Sequence, residues 1–187
     1  MTTSGASDLS TERLVLRRWR DDDRAPFAAL NADGEVMEHF VAPLTREQSD
    51  ALVDRIEAEL NERPFGLWAV EVRATGDFIG FVGLSVPLFE ASFTPAVEVG
   101  WRLARPAWGH GYASEAAGEA LRQGFETAGL DEIVSFTSLH NTRSQRVMER
   151  LGMVRSEEFD HPTIPPGHRI HRHVLYRLTR TRWDELR

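Results

Sequence analysis

Val97 to Ala116 reads VEVGWRLARPAWGHGYASEA, a strand that runs through a short loop into a helix. Ala96 to Leu103, AVEVGWRL, is the strand. The loop then delivers Gly109, Gly111 and Ala113 to a helix start. Small residues there let backbone approach a ligand closely. The free N–H groups of a first helical turn, together with the helix dipole, form an anion site. The stretch therefore reads as a cradle for phosphate or pyrophosphate, with a plain chain-turning loop as the other reading. A P-loop is excluded because no Lys follows the glycines, and GHGYAS puts Ser114 where a dinucleotide fingerprint needs its third Gly. Gly100, inside the strand, suits a bulge or a close ligand approach.

Outward from this stretch the elements alternate in type. RLVLRRW (Arg13 to Trp19) reads as a first strand. Asp21–Asp33 follows as a helix with an acidic start and Phe27 and Leu30 on one face. TREQ, from Thr45, is a capping box before a helix carrying Leu52, Val53, Ile56 and Leu60, which Pro64 stops. Gly66 to Val72 and Phe78 to Val86 form a hairpin across ATGD. PLFEASFTP reads as a loop exposing Phe89 and Phe93. After the Gly111–Gly129 helix come the strand EIVSFTSL, the short helix NTRSQRVMERLG, and two closing strands, MVRSEEF and HRHVLYRL, around DHPTIPPG. No repeat or linker splits the chain, so one α/β domain over 9–187 is expected behind a loose tail at 1–8.

Composition removes several classes of function. The 187 residues include no Cys, which excludes disulfides, thiolate metal sites and a cysteine nucleophile. Net charge is −7, from 29 acidic and 22 basic residues, so a nucleic-acid partner is not expected. No apolar run is long enough to span a membrane, and MTTSGASDLS lacks the apolar segment of a leader, so a cytoplasmic location is the default.

Three stretches in this order, LSTERLVLR, VEVGWRL before WGHGYASEA, and NTRSQRVMERLG, resemble the GNAT superfamily of acyl-CoA-dependent N-acetyltransferases. The likeness lies with the branch of ribosomal-protein N-terminal (alanine/serine) acetyltransferases. It implies a twisted, mostly antiparallel mixed sheet, flanked by helices and splayed near Gly100 to admit acetyl-CoA. In the family motif [Q/R]-x-x-G-x-[G/A], Gly111 and Ala113 match, while Trp108 stands where Gln or Arg is usual, as is familiar in this branch. The resemblance places the CoA pyrophosphate on amides around Gly109, His110, Gly111, Tyr112, Ala113 and Ser114, beside Trp108. The strand from Val97 to Trp101, Val99 and Trp101 included, would present backbone groups to the pantetheine and thioester. Asn141 would bond the pantetheine arm or an ordered water. Arg143 and Arg146 would meet the 3′-phosphate, a solvated helix face being the plain alternative.

Acetyl transfer to an amine needs the neutral amine, and a lysine-like amine has a pKa near 10.4. A base is therefore useful. Glu98, flanked by Val97 and Val99 and pointing away from both, is the first candidate, because apolar neighbours raise a carboxyl pKa. A structural ion pair with Arg17 or Arg102 is the competing reading, and Glu71 is the reserve base. Strand amides near Val99 would stabilise the oxyanion. By resemblance Ser144 would hydrogen-bond the leaving sulfur, although a first-turn Ser making a local backbone bond fits as well. Among the His residues of HRIHRH, His171 and His173 have a spacing able to ligate a metal, but structural or substrate-contact roles rank first and no metal is expected. His39, Phe40, Phe89 and Phe93 are candidate walls of an acceptor cleft.

The expectation is an acetyl-CoA-dependent N-acetyltransferase acting by direct attack on a primary amine, either a protein N-terminus or a small molecule. The missing Cys removes an acyl-cysteine route. A catalytically silent CoA sensor and an antibiotic or polyamine acetyltransferase are the alternatives. The oligomeric state is left open between monomer and homodimer.

Overall fold

The computed structural model describes residues 5–187. Leu14 and Leu16, buried on the inner face of β2 (Leu14–Arg17), fix that strand between β1 (Leu9–Ser10) and β3 (Leu67–Val72), both antiparallel to it. Between β2 and β3 lie α1 (Arg24–Ala32) and α2 (Arg46–Glu62). The capping box forms as the sequence predicts: Thr45 Oγ1 accepts from the Gln48 amide at 3.2 Å, and Gln48 Oε1 accepts from the Thr45 amide at 2.9 Å. Such a cap is worth about 1 kcal/mol. A buried pair ties β2 to the turn that leads into α1, with Arg17 donating from Nη1 and Nη2 to Asp23 at 2.7 and 2.9 Å.

β3 pairs with β4 (Phe78–Ser85), and β4 with β5 (Glu98–Leu103), all antiparallel. α3 (Tyr112–Arg122), which continues as a wider π-type turn over Gln123–Thr127, carries the chain across to β6 (Glu132–Ser138). Next come α4 (Thr142–Arg150), β7 (Val154–Asp160), β8 (Arg172–Thr179) and α5 (Arg180–Glu185). The eight strands form one sheet in the order β1-β2-β3-β4-β5-β6-β8-β7. Among the described residues its one parallel pair is β5–β6.

That pair decides where the site lies. β5 and β6 are in register only at Glu98 and Val134, where the Val134 amide donates to Val97 O at 2.9 Å. Beyond Glu98 the strands part, so backbone groups of Gly100–Leu103 on that side are left without a strand partner. Alternation along β5 sends Val99 and Leu103 into the main core, where Ala116, Ala117, Ala120 and Leu121 of α3 also lie. Arg102 faces the other way. It pairs across the sheet with Phe81, against which Phe27 of α1 packs at 5.9 Å between ring centroids.

Two expectations are corrected, one of the two readings of Gly100 is excluded, and one helix is added. Residues 5–8 are docked rather than loose: Ala6 is buried and donates to Leu60 O, and Ser7 O accepts from Trp68 Nε1 at 3.1 Å, while residues 1–4 lie outside the described region. Phe93 is buried rather than exposed, in a second cluster with Val134, Phe159 and Leu175 against which Phe89 and Phe136 pack. Gly100 is not a bulge, because it stays in register with Gly83; the β3–β4 shift occurs at Val70/Glu71 instead. The terminal helix α5 was unforeseen, being six residues with little apolar periodicity.

Candidate active site

The parted strands, the start of α3, α4 and the segment between α1 and α2 enclose a cavity of about 780 Å³. Trp101, Trp108, Gly109, Gly111, Tyr112, Ala113, Ser114, Asn141, Arg143, Ser144, Arg146 and Glu98 all line it. Two expected members do not. The Val99 side chain is fully buried beneath the cavity, so only its backbone could reach a ligand. His110 stacks on Tyr112, with centroids 5.4 Å apart, and its carbonyl accepts from Arg13 Nη1 at 3.0 Å.

The loop before α3 is held from both sides. Glu115 binds Thr11 Oγ1 at 2.5 Å and Arg13 Nε at 2.7 Å, so the N-terminal segment anchors the first turn of the helix. Trp108 Nε1 donates to Leu103 O at 2.8 Å, which braces the loop against the end of β5. Gly109 and Gly111 both have left-handed φ, +80° and +81°, which turn the chain sharply into α3. Ser114 Oγ is buried and lacks a hydrogen-bond partner among the described residues. An orphaned hydroxyl beside free first-turn amides is the pattern expected where an anion is to be received.

Glu98 stands at the point where the strands part. Among the described residues its carboxyl makes no ion pair. Arg17 is bound to Asp23 and Glu71, and Arg102 donates to Asn31 Oδ1 at 2.6 Å. Burial pushes the Glu98 carboxyl up to about 8. Glu71, the reserve base, is held by Arg17 and Arg20 at 2.7 and 2.9 Å, outside the cavity, which removes it as a candidate. A cavity wall free of Cβ lies beside Glu98, since an added Cβ at Gly100 would meet only Glu98 Oε1, at 3.8 Å.

Across the cavity Asn141 caps α4. Its Oδ1 accepts from the Ser144 amide, and its Nδ2 donates to Thr137 Oγ1 at 2.9 Å and Ser144 Oγ at 3.0 Å. Both N–H groups are thereby used within the protein, which leaves only a lone pair of Oδ1 for a ligand, less than the resemblance implied. Arg143 lies over the Trp108 ring at 4.6 Å and pairs with Glu38 at 3.6 Å, whereas Arg146 is exposed and free of ion pairs among the described residues. Arg150 also lines the cavity. Its i+7 spacing from Arg143 could have identified it, since 143, 146 and 150 share one helix face.

The acceptor side is lined by His39 and Phe40, as expected, but not by Phe89 or Phe93, which belong to the second cluster. His39 Nδ1 lies 3.0 Å from Ser138 Oγ. His161 and His173, 4.8 Å apart, line the floor beside Phe136. Burial pulls His173 down to about 4, so it is neutral at physiological pH and cannot serve as a cation there. Among the described residues no group of three His, Asp or Glu is arranged to hold a metal. Tyr176 is buried packing, as the sequence suggested, and its hydroxyl lies 3.3 Å from Glu149.

Residues 13–154 match the acetyltransferase (GNAT) domain family, so the chain belongs to that family of acyl-CoA-dependent acetyltransferases. It is 34% identical over 192 residues to an FsC-acetyl coenzyme A-N(2)-transacetylase of Aspergillus fumigatus, covering 98% of this chain and 80% of the relative. A GNAT acetyltransferase structure from Bacillus anthracis superposes with a TM-score of 0.77 at 24% identity, over 93% of this chain and 99% of that one. The fold is also that of a ribosomal-protein-serine acetyltransferase-like structure from Vibrio cholerae, with a TM-score of 0.75 at 17% identity, over 95% and 98%.

Proposed function

We propose that the protein transfers the acetyl group of acetyl-CoA to a primary amine by direct attack within a ternary complex. The observation that carries this reading is the unpaired Glu98 carboxyl at the strand junction, opposite the Ser144 hydroxyl on α4, in one cavity with the α3 amides. The A. fumigatus relative, named for transfer from acetyl coenzyme A to a nitrogen, supports both donor and acceptor.

The residues fit the donor. First-turn amides from Gly111 to Ser114, with the orphaned Ser114 hydroxyl, would hold the pyrophosphate. Arg146 and Arg150 supply charge for the 3′-phosphate, while Arg143, already engaged by Trp108 and Glu38, frames the opening. The donor supplies an activated acyl carbon when bound. Glu98 accepts a proton from the incoming ammonium, directly or through water, and its raised pKa makes it a better base near pH 8 than an ordinary carboxylate. Ser144 Oγ accepts from Asn141, so its own hydrogen is free to donate to the departing sulfur. A thiolate leaving group with an ordinary pKa near 8.5 needs no more help than that.

The test is direct. Protein is mixed with acetyl-CoA and a panel of amines, free thiol is followed, and CoA binding is measured by calorimetry. Thiol release matched by N-acetylated product supports the reading. Absence of CoA binding overturns it, and CoA binding without transfer to any amine leaves the protein a CoA-binding module.

A further inference from the structure

The cavity has an electrostatic character opposite to that of the whole chain. Five arginines line it, Arg55, Arg102, Arg143, Arg146 and Arg150, against two glutamates, Glu35 and Glu98, although the chain carries −7. Three of those arginines are on α4, facing the donor. Arg102 is different. It lies on the α1 side of β5, and the donor reading explains neither it nor Arg55 of α2; of the two, Arg55 already lies 4.0 Å from the Glu59 carboxylate.

The guanidinium of Arg102 is built into place. Nη1 donates to Asn31 Oδ1 at 2.6 Å, and Asn31 Nδ2 in turn donates to Ser49 Oγ at 2.9 Å, so α1 and α2 both orient it. Its plane lies over the rings of Phe40 at 4.1 Å and Phe81 at 5.4 Å. Nε is buried with no hydrogen-bond partner, and no carboxylate pairs with the group among the described residues. The other acidic groups nearby are committed: Glu35 to Arg105, and Glu38 to Arg143 and Arg169. Burial pulls the guanidinium down to about 10, the mark of a cation held away from water without a counter-charge. Arginine in this state is a fork for a carboxylate.

Its position relative to Glu98 completes the case. Glu98, Gly100 and Arg102 share one face of β5, with Gly100 leaving the wall between them flat. Four residue steps along the strand put the two Cα atoms about 13 Å apart. A molecule lying along that wall would present its amine to Glu98 and its far end to Arg102. We propose that the acceptor is an amine that also bears a carboxylate, and that Arg102 binds this carboxylate. The inference rests on the acetyltransferase reading and narrows its acceptor. It disfavours polycationic acceptors such as polyamines and aminoglycosides, which would bring more positive charge to a half-buried, unpaired cation.

The probe is a series of ω-amino acids compared with their carboxamides, in which intervening methylenes keep the amine pKa nearly matched. kcat/KM is measured for each pair with wild type, Arg102→Gln and Arg102→Lys, and CoA binding by calorimetry checks that each variant is folded. The acid is expected to exceed its amide by about tenfold or more in wild type. Arg102→Gln should bring the two within about twofold by slowing the acid alone, and Arg102→Lys should retain part of the preference. Equal use of acid and amide by wild type overturns the proposal, whether or not the variants fold. A fall in both substrates by the same factor in a folded Arg102→Gln also overturns it, since that is the result of a merely structural arginine. Failure of wild type to bind CoA would instead overturn the acetyltransferase reading beneath it.

Discussion

Asn141 and Ser144 hold each other in a closed loop: Asn141 Oδ1 accepts from the Ser144 amide at 3.1 Å, and Asn141 Nδ2 donates to Ser144 Oγ at 3.0 Å. One residue thus caps α4 and directs the hydroxyl of the other. Ser144→Ala should leave the melting temperature nearly unchanged and slow acetyl transfer by roughly tenfold, the value of one hydrogen bond to a charged group. Asn141→Ala should do both kinds of damage, removing about 1 kcal/mol with the cap and freeing the Ser144 rotamer. Thermal melts beside thiol-release rates separate the two variants. A Ser144→Ala enzyme of full activity would remove the hydroxyl from the reaction.

For Glu98 the expected pH profile follows from its raised pKa. The ionised form is the base, so kcat/KM should rise with pH through about 8, and Glu98→Gln should abolish that limb. Stability should move in the opposite sense. The folded pKa of about 8 lies above the ordinary 4.5, so the folded chain binds this proton more tightly. The stability contributed is full below pH 4.5 and is lost as pH rises through 8. Glu98→Gln should therefore match wild type at pH 4.5 and exceed it at pH 9 by about 2 kcal/mol, allowing for water in the open cavity. Urea titrations at the two pH values measure this.

Gly111 takes φ +81° as the residue that opens α3. An Ala there is strained by about 1–2 kcal/mol, or else the loop reshapes and the first-turn amides turn away. Gly111→Ala should weaken CoA binding by about tenfold or more in calorimetry, with a smaller loss of melting temperature.

Arg146 lines the cavity from α4, and among the described residues no carboxylate pairs with it. If it meets the 3′-phosphate, Arg146→Ala weakens binding of CoA but leaves 3′-dephospho-CoA unaffected. Equal weakening of both ligands would assign it elsewhere.

His173 gives an acid-side prediction. Its pKa, pulled from 6.5 to about 4 by burial, means that the neutral ring is favoured in the folded chain. That stability is present above pH 6.5 and lost as pH falls through 4. His39 and His161, also lowered by burial, add to the same slope. Unfolding free energy should decline between pH 6.5 and 4, and His173→Gln should flatten part of that decline by about 1–2 kcal/mol. Denaturant melts across this range provide the check.

Much of the fold was legible because its signals are local. The period-two run into β5, the Thr45–Gln48 box and the Gly109–Gly111 turn each act within a few residues. The docked residues 5–8 and the buried Phe93 were not legible, because their burial depends on Leu60 and on Phe159, far away in the chain. Helix α5 was missed for another reason, being too short to show a period.

For the site the division is sharper. The sequence by itself determined which residue types line the strand–loop–helix and α4, since backbone geometry alone places them. Only the tertiary structure decided which of these groups are free. Arg17 and Arg102 could each have neutralised Glu98; Arg17 is taken by Asp23 and Glu71, and Arg102, four positions along β5, is turned toward Asn31, so among the described residues the carboxyl stays unpaired. Asn141, expected to reach a ligand, was spent on its own helix. A charged group acts through what remains unpartnered, and partners come from distant parts of the chain that local periodicity does not record.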